Sequence, residues 1–342
     1  MTRKVKVGDA TIGGGSAVSV QSMTNTLTKD VKATLDQIHS LEESGCEIIR
    51  AAVPDMESAK ALKEIKDNIS IPLVADIHFD YRLAVESAKF ADKIRINPGN
   101  IGEKVTEAVK AAKDNSIPIR VGVNLGSLEK DIEKRFGLTA QAMVKSAIRN
   151  IKKLEDMDFY DIVVSLKARD VPRTIEANKL FSQKSDYPLH LGVTESGGSF
   201  SGLVSSSVGI GSLLSQGIGD TIRVSLSADP SEEVKAGWQI LKSLKLRRRG
   251  VDITSCPTCA RAHLDVVNIV KELEKRTAGI RKPFHIAVMG CEVNGPGEAK
   301  EADIGVVGGN KLILYRKGQI IAKVDKENIL DEIQDEIDKV LE

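Results

Sequence analysis

The sequence predicts an α/β protein, a parallel (β/α)8 barrel at the N-terminus followed by a smaller α+β unit. Three observations point there. Short β-rich runs alternate with helical segments through the first 240 or so of the 342 residues. The strand-like runs carry charged side chains on one face only. Three of the four cysteines fall in the tail, which has its own strand and helix pattern. At about 150 residues per domain, the length suits two domains.

The composition narrows the function. Hydrophobic residues are 41% and charged residues 28%, enough for an ordinary core. Aromatics are 4%, too few for a base-stacking platform. Lys and Arg number 49 against 48 Asp and Glu, a net charge of +1. Any anion site must therefore be local, since there is no overall positive field to hold a nucleic acid. Residues 1–15 lack the apolar run of a signal peptide. The uncharged stretch 196–219 is long enough to span a membrane but is dominated by Gly and Ser, so no transmembrane helix is expected. A cytoplasmic protein is the simplest expectation, and there clustered cysteines favour metal or redox chemistry over disulfides.

In chain order, strands are expected over residues 17–21, 47–52, 72–77, 93–97, 119–124, 162–167, 189–193 and 221–226. Helical periodicity covers 30–44, 56–67, 82–88, 102–114, 140–157 and 171–184. Eight such strands suit a closed barrel. A doubly wound open sheet is the alternative, but it wants a Gly-rich turn after its first strand, and the glycine run 13–15 precedes one. The pattern ends near Leu241, and the basic run 242–250 reads as a solvated linker or helix end. The tail then offers a strand into Cys256, a helix over 261–276, a strand over 284–289 and a Gly-rich loop. A hairpin (311–315, 319–324) and a helix from about 328 complete it. The domains are thus expected at 1–243 and 250–342.

Side chains on a strand alternate faces. Lys93, Arg95 and Asn97 oppose Ile94 and Ile96, while Arg120, Gly122 and Asn124 oppose Ile119, Val121 and Val123. Ser165 and Lys167 oppose Val164 and Leu166, and Arg223 and Ser225 oppose Ile222 and Val224. Asp76 and His78 share a face of the third strand, and the second strand offers Arg50. Helices cover a barrel's outside, so the polar faces must point inward, where branched apolar residues are the rule. Cations gathered there repel one another and lose hydration unless an anion enters. A small, multiply anionic substrate, most simply a phosphate compound, follows, and the planar Arg fork suits phosphate oxygens. Structural ion pairing is the competing use of each cation. Asp76 and His78 suit substrate contact or, with a third ligand, a metal. Glu195, past the seventh strand beside a Gly-rich loop, is either a general acid/base or a solvent-facing residue.

Cys256-Pro-Thr-Cys259 alone fits zinc, an iron–sulfur cluster or a redox dithiol. Cys291 is a third thiol without a near neighbour, unlike the second close pair of a zinc ribbon. Three thiolates suit a 4Fe–4S cluster with one special iron. For the fourth ligand, Cys46, His263, His285 and Glu298 are candidates. A turn at residues 295–297 would bring the Glu298 carboxylate back toward Cys291, but Glu298 also reads as a solvated loop residue.

These runs resemble the 4-hydroxy-3-methylbut-2-enyl diphosphate synthase family. The resemblance rests on Ser255-Cys-Pro-Thr-Cys259 and Met289-Gly-Cys-Glu-Val-Asn-Gly-Pro-Gly-Glu-Ala299. Gln21-Ser-Met-Thr-Asn-Thr26, Ala75-Asp-Ile-His78, Ile94-Arg-Ile-Asn-Pro-Gly-Asn100, Gly122-Val-Asn-Leu-Gly-Ser127 and Gly192-Val-Thr-Glu-Ser196 support it, in order along nearly the whole chain. It implies a TIM barrel joined to a small domain like those of sulfite reductases, in the compact bacterial form. It implies a 4Fe–4S cluster on Cys256, Cys259, Cys291 and Glu298. The substrate implied is 2-C-methyl-D-erythritol 2,4-cyclodiphosphate, gripped by Arg50, Arg95, Arg120 and Lys167 with Asn124, Asp76, His78 and Arg223 nearby. Glu195 would be the acid/base, flavodoxin or ferredoxin the electron donor, and a homodimer the working assembly. One departure stands out: Ala260-Arg261-Ala262 replaces the family's frequent Gly-Arg-Thr. The alternatives are a barrel hydrolase or transferase for a phosphorylated or pterin-like substrate with structural zinc in the tail, and a zinc-ribbon nucleic-acid binder.

Overall fold

The computed structural model describes residues 1–341; Glu342, the last residue of the expected second domain, lies outside the described residues. The chain divides into two compact units, Met1–Arg247 and Arg248–Glu342.

The first unit opens with an antiparallel hairpin of β1 (Val5–Val7) and β2 (Ala10–Ile12), too short to leave a periodic signal in the sequence. Eight parallel strands follow. They are β3 (Ser19–Met23), β4 (Ile48–Ala52), β5 (Leu73–Asp76), β6 (Lys93–Ile96), β7 (Ile119–Asn124), β8 (Ile162–Lys167), β9 (His190–Leu191) and β10 (Thr221–Ile222). They run in the order β8-β7-β6-β5-β4-β3-β10-β9. A parallel bridge between Val164 and Leu189 joins the two ends, with the Val164 N–H donating to the Pro188 carbonyl at 2.9 Å. The sheet is a barrel, as expected. Its outward faces are apolar: Ile94, Ile96, Val121, Val123, Val164 and Leu166 are buried against the surrounding helices. At the N-terminal end, Val5, Val7 and Ile12 pack on Ile48, Val74 and Val163, so the hairpin plugs the barrel from below.

Several elements of the barrel differ from the expected pattern. β9 and β10 pair over two residues each, against the five or six expected, because their ladders end where Gly192 and Arg223 turn into the site described below. The stretch 196–219 contains a helix, Ser199–Leu214. It has no charged face to mark its period, and its small residues serve close packing: a Cβ on Gly209 would stand 2.7 Å from Val193. Helices at Lys130–Phe136 and Pro230–Ser243 are additions to the expected elements. The second carries standard start signals, Asp229 accepting from the Ser231 N–H, then Pro230 and the acidic pair Glu232 and Glu233.

The second unit is a five-stranded sheet in sequence order: β11 (Val251–Ser255), β12 (Phe284–Met289), β13 (Ile304–Val307), β14 (Leu312–Arg316) and β15 (Gln319–Val324). The first three are parallel and the last two antiparallel. β13 is an addition to the expected elements. The helix expected at 261–276 begins at Val266, where the Asp265 side chain caps it, and it lays Val266, Ile269 and Leu273 on the sheet. Helix Ile329–Leu341 adds Ile333 and Ile337 to the same core. The segment read as a turn at 295–297 is the start of a helix, Gly295–Glu301. Pro is at home in a first helical turn, and Gly295 is needed because a Cβ there would meet Val307 at 2.4 Å. Among the described residues no helix is long and apolar enough to cross a membrane.

Candidate active site

The barrel registers sort the inward side chains into layers of four drawn from alternate strands. Gln21, Val74, Arg120 and His190 form one layer, and Ile48, Lys93, Val163 and Thr221 the layer beneath. Above them lie Arg50, Arg95, Ser165 and Arg223, then Met23, Asp76, Gly122 and Gly192. The upper layers line a cavity of about 140 Å³ at the C-terminal ends of the strands, bordered by Arg50, Arg95, Arg120, Lys167, Arg223 and Asp76. His78, Asn124, Ser165, Thr194 and Ser225 complete the lining. The structure thus brings together every barrel residue expected at the site except Glu195, which lies one residue beyond Thr194 and is exposed. Its backbone is left-handed, φ +54°, an uncommon conformation for a residue with a side chain.

Two glycines make the cavity possible. A Cβ on Gly122 would lie 2.6 Å from Arg95 Nε, and one on Gly192 would lie 2.6 Å from both Lys167 Nζ and the Arg223 carbonyl oxygen. The long cations of neighbouring strands therefore lie across bare backbone and reach inward.

Asp76 organises the cations. Arg95 Nη1 donates to Asp76 Oδ1 at 3.1 Å, Arg50 Nε stands 3.9 Å from Oδ2, and His78 Nε2 lies 3.4 Å from Oδ2. Burial alone would push this carboxyl up. Arg50, the hydrogen bond with His78, Arg95 and Arg120 together outweigh it and hold the group well below the usual carboxylate range. Glu233, buried in helix Pro230–Ser243, does the same for Arg223, accepting from Nη2 at 3.2 Å and from the Leu226 N–H at 2.9 Å. Sequence reasoning missed Glu233 because no spacing ties a helix residue to a strand ten positions earlier. Thr194 was missed as a lining residue, although the period-two pattern from His190 marks its face.

The remaining cations are costly. Burial pushes Arg50 down to about 10, with repulsion from Arg223 and Arg95 added and Asp76 opposing. Burial and the neighbouring guanidinium groups also hold Lys167 and Arg120 well below their ordinary values. A guanidinium keeps its proton all the same. Positive charge concentrated at the mouth of the barrel suits a multiply charged anion.

The cysteines divide as follows. Cys46 is buried behind the second barrel strand and donates its S–H to the Ile48 carbonyl at 3.1 Å; burial pushes the thiol up to about 12, so it is a packing residue. In the second unit β11 and β12 are parallel neighbours, and the Cys256 N–H donates to the Val288 carbonyl at 3.3 Å. The Gly290 N–H donates to Cys256 Sγ at 3.1 Å, and the His263 N–H to the Gly290 carbonyl at 2.7 Å. Cys256 and the segment bearing Cys291 therefore meet at one end of the sheet, while Cys259 is exposed on the intervening loop. His285 is taken up elsewhere, 2.8 Å from Thr254 Oγ1. Glu298 stands on the exposed side of helix Gly295–Glu301, whose Gly295 and Ala299 face the sheet. Among the described residues no three His, Cys, Asp or Glu side chains are close enough for one metal ion. A cluster spreads its ligands over several irons and asks for wider spacing. Cys256, a free thiol with the Gly290 N–H aimed at its sulfur, fits that group, whose ligand sulfurs accept such hydrogen bonds.

Residues 2–238 match the family model for the GcpE TIM-barrel domain, and residues 252–339 match the GcpE protein C-terminal domain. The chain belongs to the GcpE family. A GcpE relative from Caldanaerobacter subterraneus subsp. tengcongensis is 56% identical over 346 residues, spanning 100% of this chain and 98% of its own length. Another, from Halalkalibacterium halodurans, is 55% identical over 346 residues, spanning 100% and 94%. Both are named 4-hydroxy-3-methylbut-2-en-1-yl diphosphate synthase (flavodoxin). Among solved structures, dihydropteroate synthase from Yersinia pestis aligns with a TM-score of 0.51 at 14% identity, covering 72% of this chain and 100% of that one. That likeness is one of fold alone.

Proposed function

We propose that this chain is a 4-hydroxy-3-methylbut-2-enyl diphosphate synthase. It opens 2-C-methyl-D-erythritol 2,4-cyclodiphosphate to (E)-4-hydroxy-3-methylbut-2-enyl diphosphate with two electrons from flavodoxin or ferredoxin. Identity of 56% across the full length of a relative named for that activity carries the reading, and the cationic cavity supplies its chemistry. The C2–O bond to the diphosphate and the C3–OH bond break, and a C2–C3 double bond forms. Two electrons and one proton enter and one water leaves.

Each step asks something of the residues that line the cavity. Arg50, Arg95, Arg120, Lys167 and Arg223 bind the diphosphate, repaid by relief of their mutual repulsion. Asp76 aims Arg95 and Arg50, and Glu233 aims Arg223. Asn124, Ser165, Thr194 and Ser225 offer neutral hydrogen bonds around the same cavity, and His78 stands at its edge. Glu195, beside Thr194, is assigned the proton that leaves with the C3 hydroxyl as water. Cys256, Cys259, Cys291 and Glu298 would hold a 4Fe–4S cluster, Glu298 as the exchangeable ligand. When bound, such a cluster supplies electrons singly, which suits a flavodoxin or ferredoxin donor.

The proposal assigns substrate binding to residues 1–243 and the cluster to residues 250–342, sets the enzyme in the cytoplasm, where thiols stay reduced, and includes a homodimer. In mixed dimers of Cys256→Ser and Glu195→Gln chains, electron delivery between subunits leaves about one working site per dimer; complete loss of activity contradicts it. The main test is anaerobic reconstitution. Brown protein with about four irons per chain and turnover of the cyclic diphosphate with a reductant are expected. Colourless protein with one zinc and no turnover overturns the assignment and favours the transferase or hydrolase alternative.

A further inference from the structure

The barrel holds a cation that the proposed chemistry does not use. Lys93 lies in the layer two below the guanidinium groups of Arg50, Arg95 and Arg223. Its relative exposure is 0%, and among the described residues its ammonium has no hydrogen-bond partner. Its layer-mates Ile48 and Val163 are apolar, and the hairpin residues Val5, Val7 and Ile12 close the space beneath. The polar atoms nearest in the layering are orphaned too: Gln21 Nε2, Arg120 Nε, both ring nitrogens of His190 and Thr221 Oγ1 have no partner among the described residues. A lone buried ammonium is among the least favourable groups a core can hold.

The charged and titratable groups around it come from every strand that can face it. They are Arg50 on β4, Asp76 on β5, Arg95 above it on β6, Arg120 on β7, Lys167 on β8, His190 on β9 and Arg223 following β10. β3 contributes the neutral Ser19 and Gln21, and the hairpin contributes apolar side chains. Asp92, next in sequence, is occupied on the outer side by Lys66 and the Leu73 N–H. The surroundings of Lys93 are therefore cationic. The acid that opposes them at Lys93 is Asp92, already engaged by Lys66, while Asp76 lies three layers above and is engaged by Arg95.

We propose that Lys93 is a positioning residue that sets the charge of the pocket floor, neutral beneath an empty pocket and protonated when a diphosphate occupies it. The ligand's negative charges offset the repulsion from the guanidinium layer, and the ammonium becomes affordable. Burial, then Arg120 and Arg50, hold the free Lys93 well below its ordinary value, which agrees with this geometry. Because the bound state holds the proton more tightly, binding takes up a proton and strengthens as pH falls through the window between the two values. This deepens the proposed function and rests on the pocket being a diphosphate site.

Calorimetry of the full-length reconstituted protein with the cyclic diphosphate tests it, run at one pH in two buffers of different ionisation enthalpy. The cyclic ligand is suited because its phosphates, being diester-like, stay fully ionised near neutrality. At about pH 8 the wild type is expected to take up about one proton per site, and Lys93→Met to take up less than half as much. The affinity of the wild type should improve by up to about tenfold per pH unit lowered, and that of Lys93→Met should be flatter. A role in folding alone would leave proton uptake unmoved. Binding without uptake in the wild type overturns the inference. Undiminished uptake in Lys93→Met also overturns it and assigns the proton to Lys167 or His190. Binding heat in neither buffer overturns the diphosphate reading itself, and this inference falls with it.

Discussion

The cations of the barrel reach their cavity from strands whose backbones are fixed by ladder hydrogen bonds on both sides, and bare glycines beneath them settle where they lie. The thiols of the second unit stand past strand ends, on a loop from Cys256 to Leu264 and on a segment after Met289, with Cys259 and Glu298 open to solvent. The first site is preorganised, with five cations held around the one acid of its lining, Asp76. In the second, among the described residues, no three His, Cys, Asp or Glu side chains stand close enough for one metal ion. A binding pocket can be completed by folding alone, whereas a cluster site gains its final geometry from the metal it binds.

The largest effect expected from this contrast is on iron removal. Chelation should abolish turnover and raise protease sensitivity at residues 256–264, while the unfolding transition of the barrel barely moves. Limited proteolysis with mass spectrometry reads the first change and calorimetry the second. A barrel that melts together with the loss of iron breaks the contrast.

Arg120→Met sharpens it on the barrel side. The guanidinium is buried and its Nε unpartnered, so its removal should weaken diphosphate binding by about ten- to a hundredfold. Thermal stability without ligand should hold or rise, since a buried, uncompensated cation is lost. A fall in stability with unchanged binding would assign Arg120 to the core instead.

How far the sequence foretold these sites follows from the same physics. Alternation at Arg95, Arg120, Lys167 and Arg223 was legible because a barrel wall is apolar outside and a charged inner face stands out against it. Helix Ser199–Leu214 was not legible: its period is carried by Gly and Ser, whose smallness matters only against a neighbour such as Val193. Helix Gly295–Glu301 was read as a turn because Gly, Pro and Gly open it, although the first helical turn tolerates Pro. The Cys256–Cys291 pairing was legible as chemistry, but the neighbourhood of β11 and β12 that brings the segments together is a tertiary fact. Glu233 became visible beside the site only through its surroundings, whereas Lys93 stood on the inward face in the sequence and only its isolation is a tertiary fact.

A smaller effect concerns the glycine cradles. Gly192→Ala places a methyl against the Arg223 carbonyl and Lys167, which should cost about 1–3 kcal/mol of stability and several-fold in affinity. Urea unfolding and ligand titration measure both, and a neutral result would mean the strands yield more than a fixed ladder should.

The smallest expected effect is on pH dependence. The folded Asp76 carboxyl lies below its unfolded value, so it contributes stability above about pH 4, and that contribution fades as pH falls through the lower folded value. Asp76→Asn should be less stable than wild type at neutral pH and approach it in acid. Parallel stability curves for the two proteins would show that the cations do not depend on Asp76.

The most direct measurement is cyclic diphosphate binding to iron-free Cys256→Ser protein, by anaerobic calorimetry beside the reconstituted wild type. A pocket completed by the barrel predicts affinity within about tenfold of wild type with turnover absent. No detectable binding without the cluster would contradict a preformed anion site.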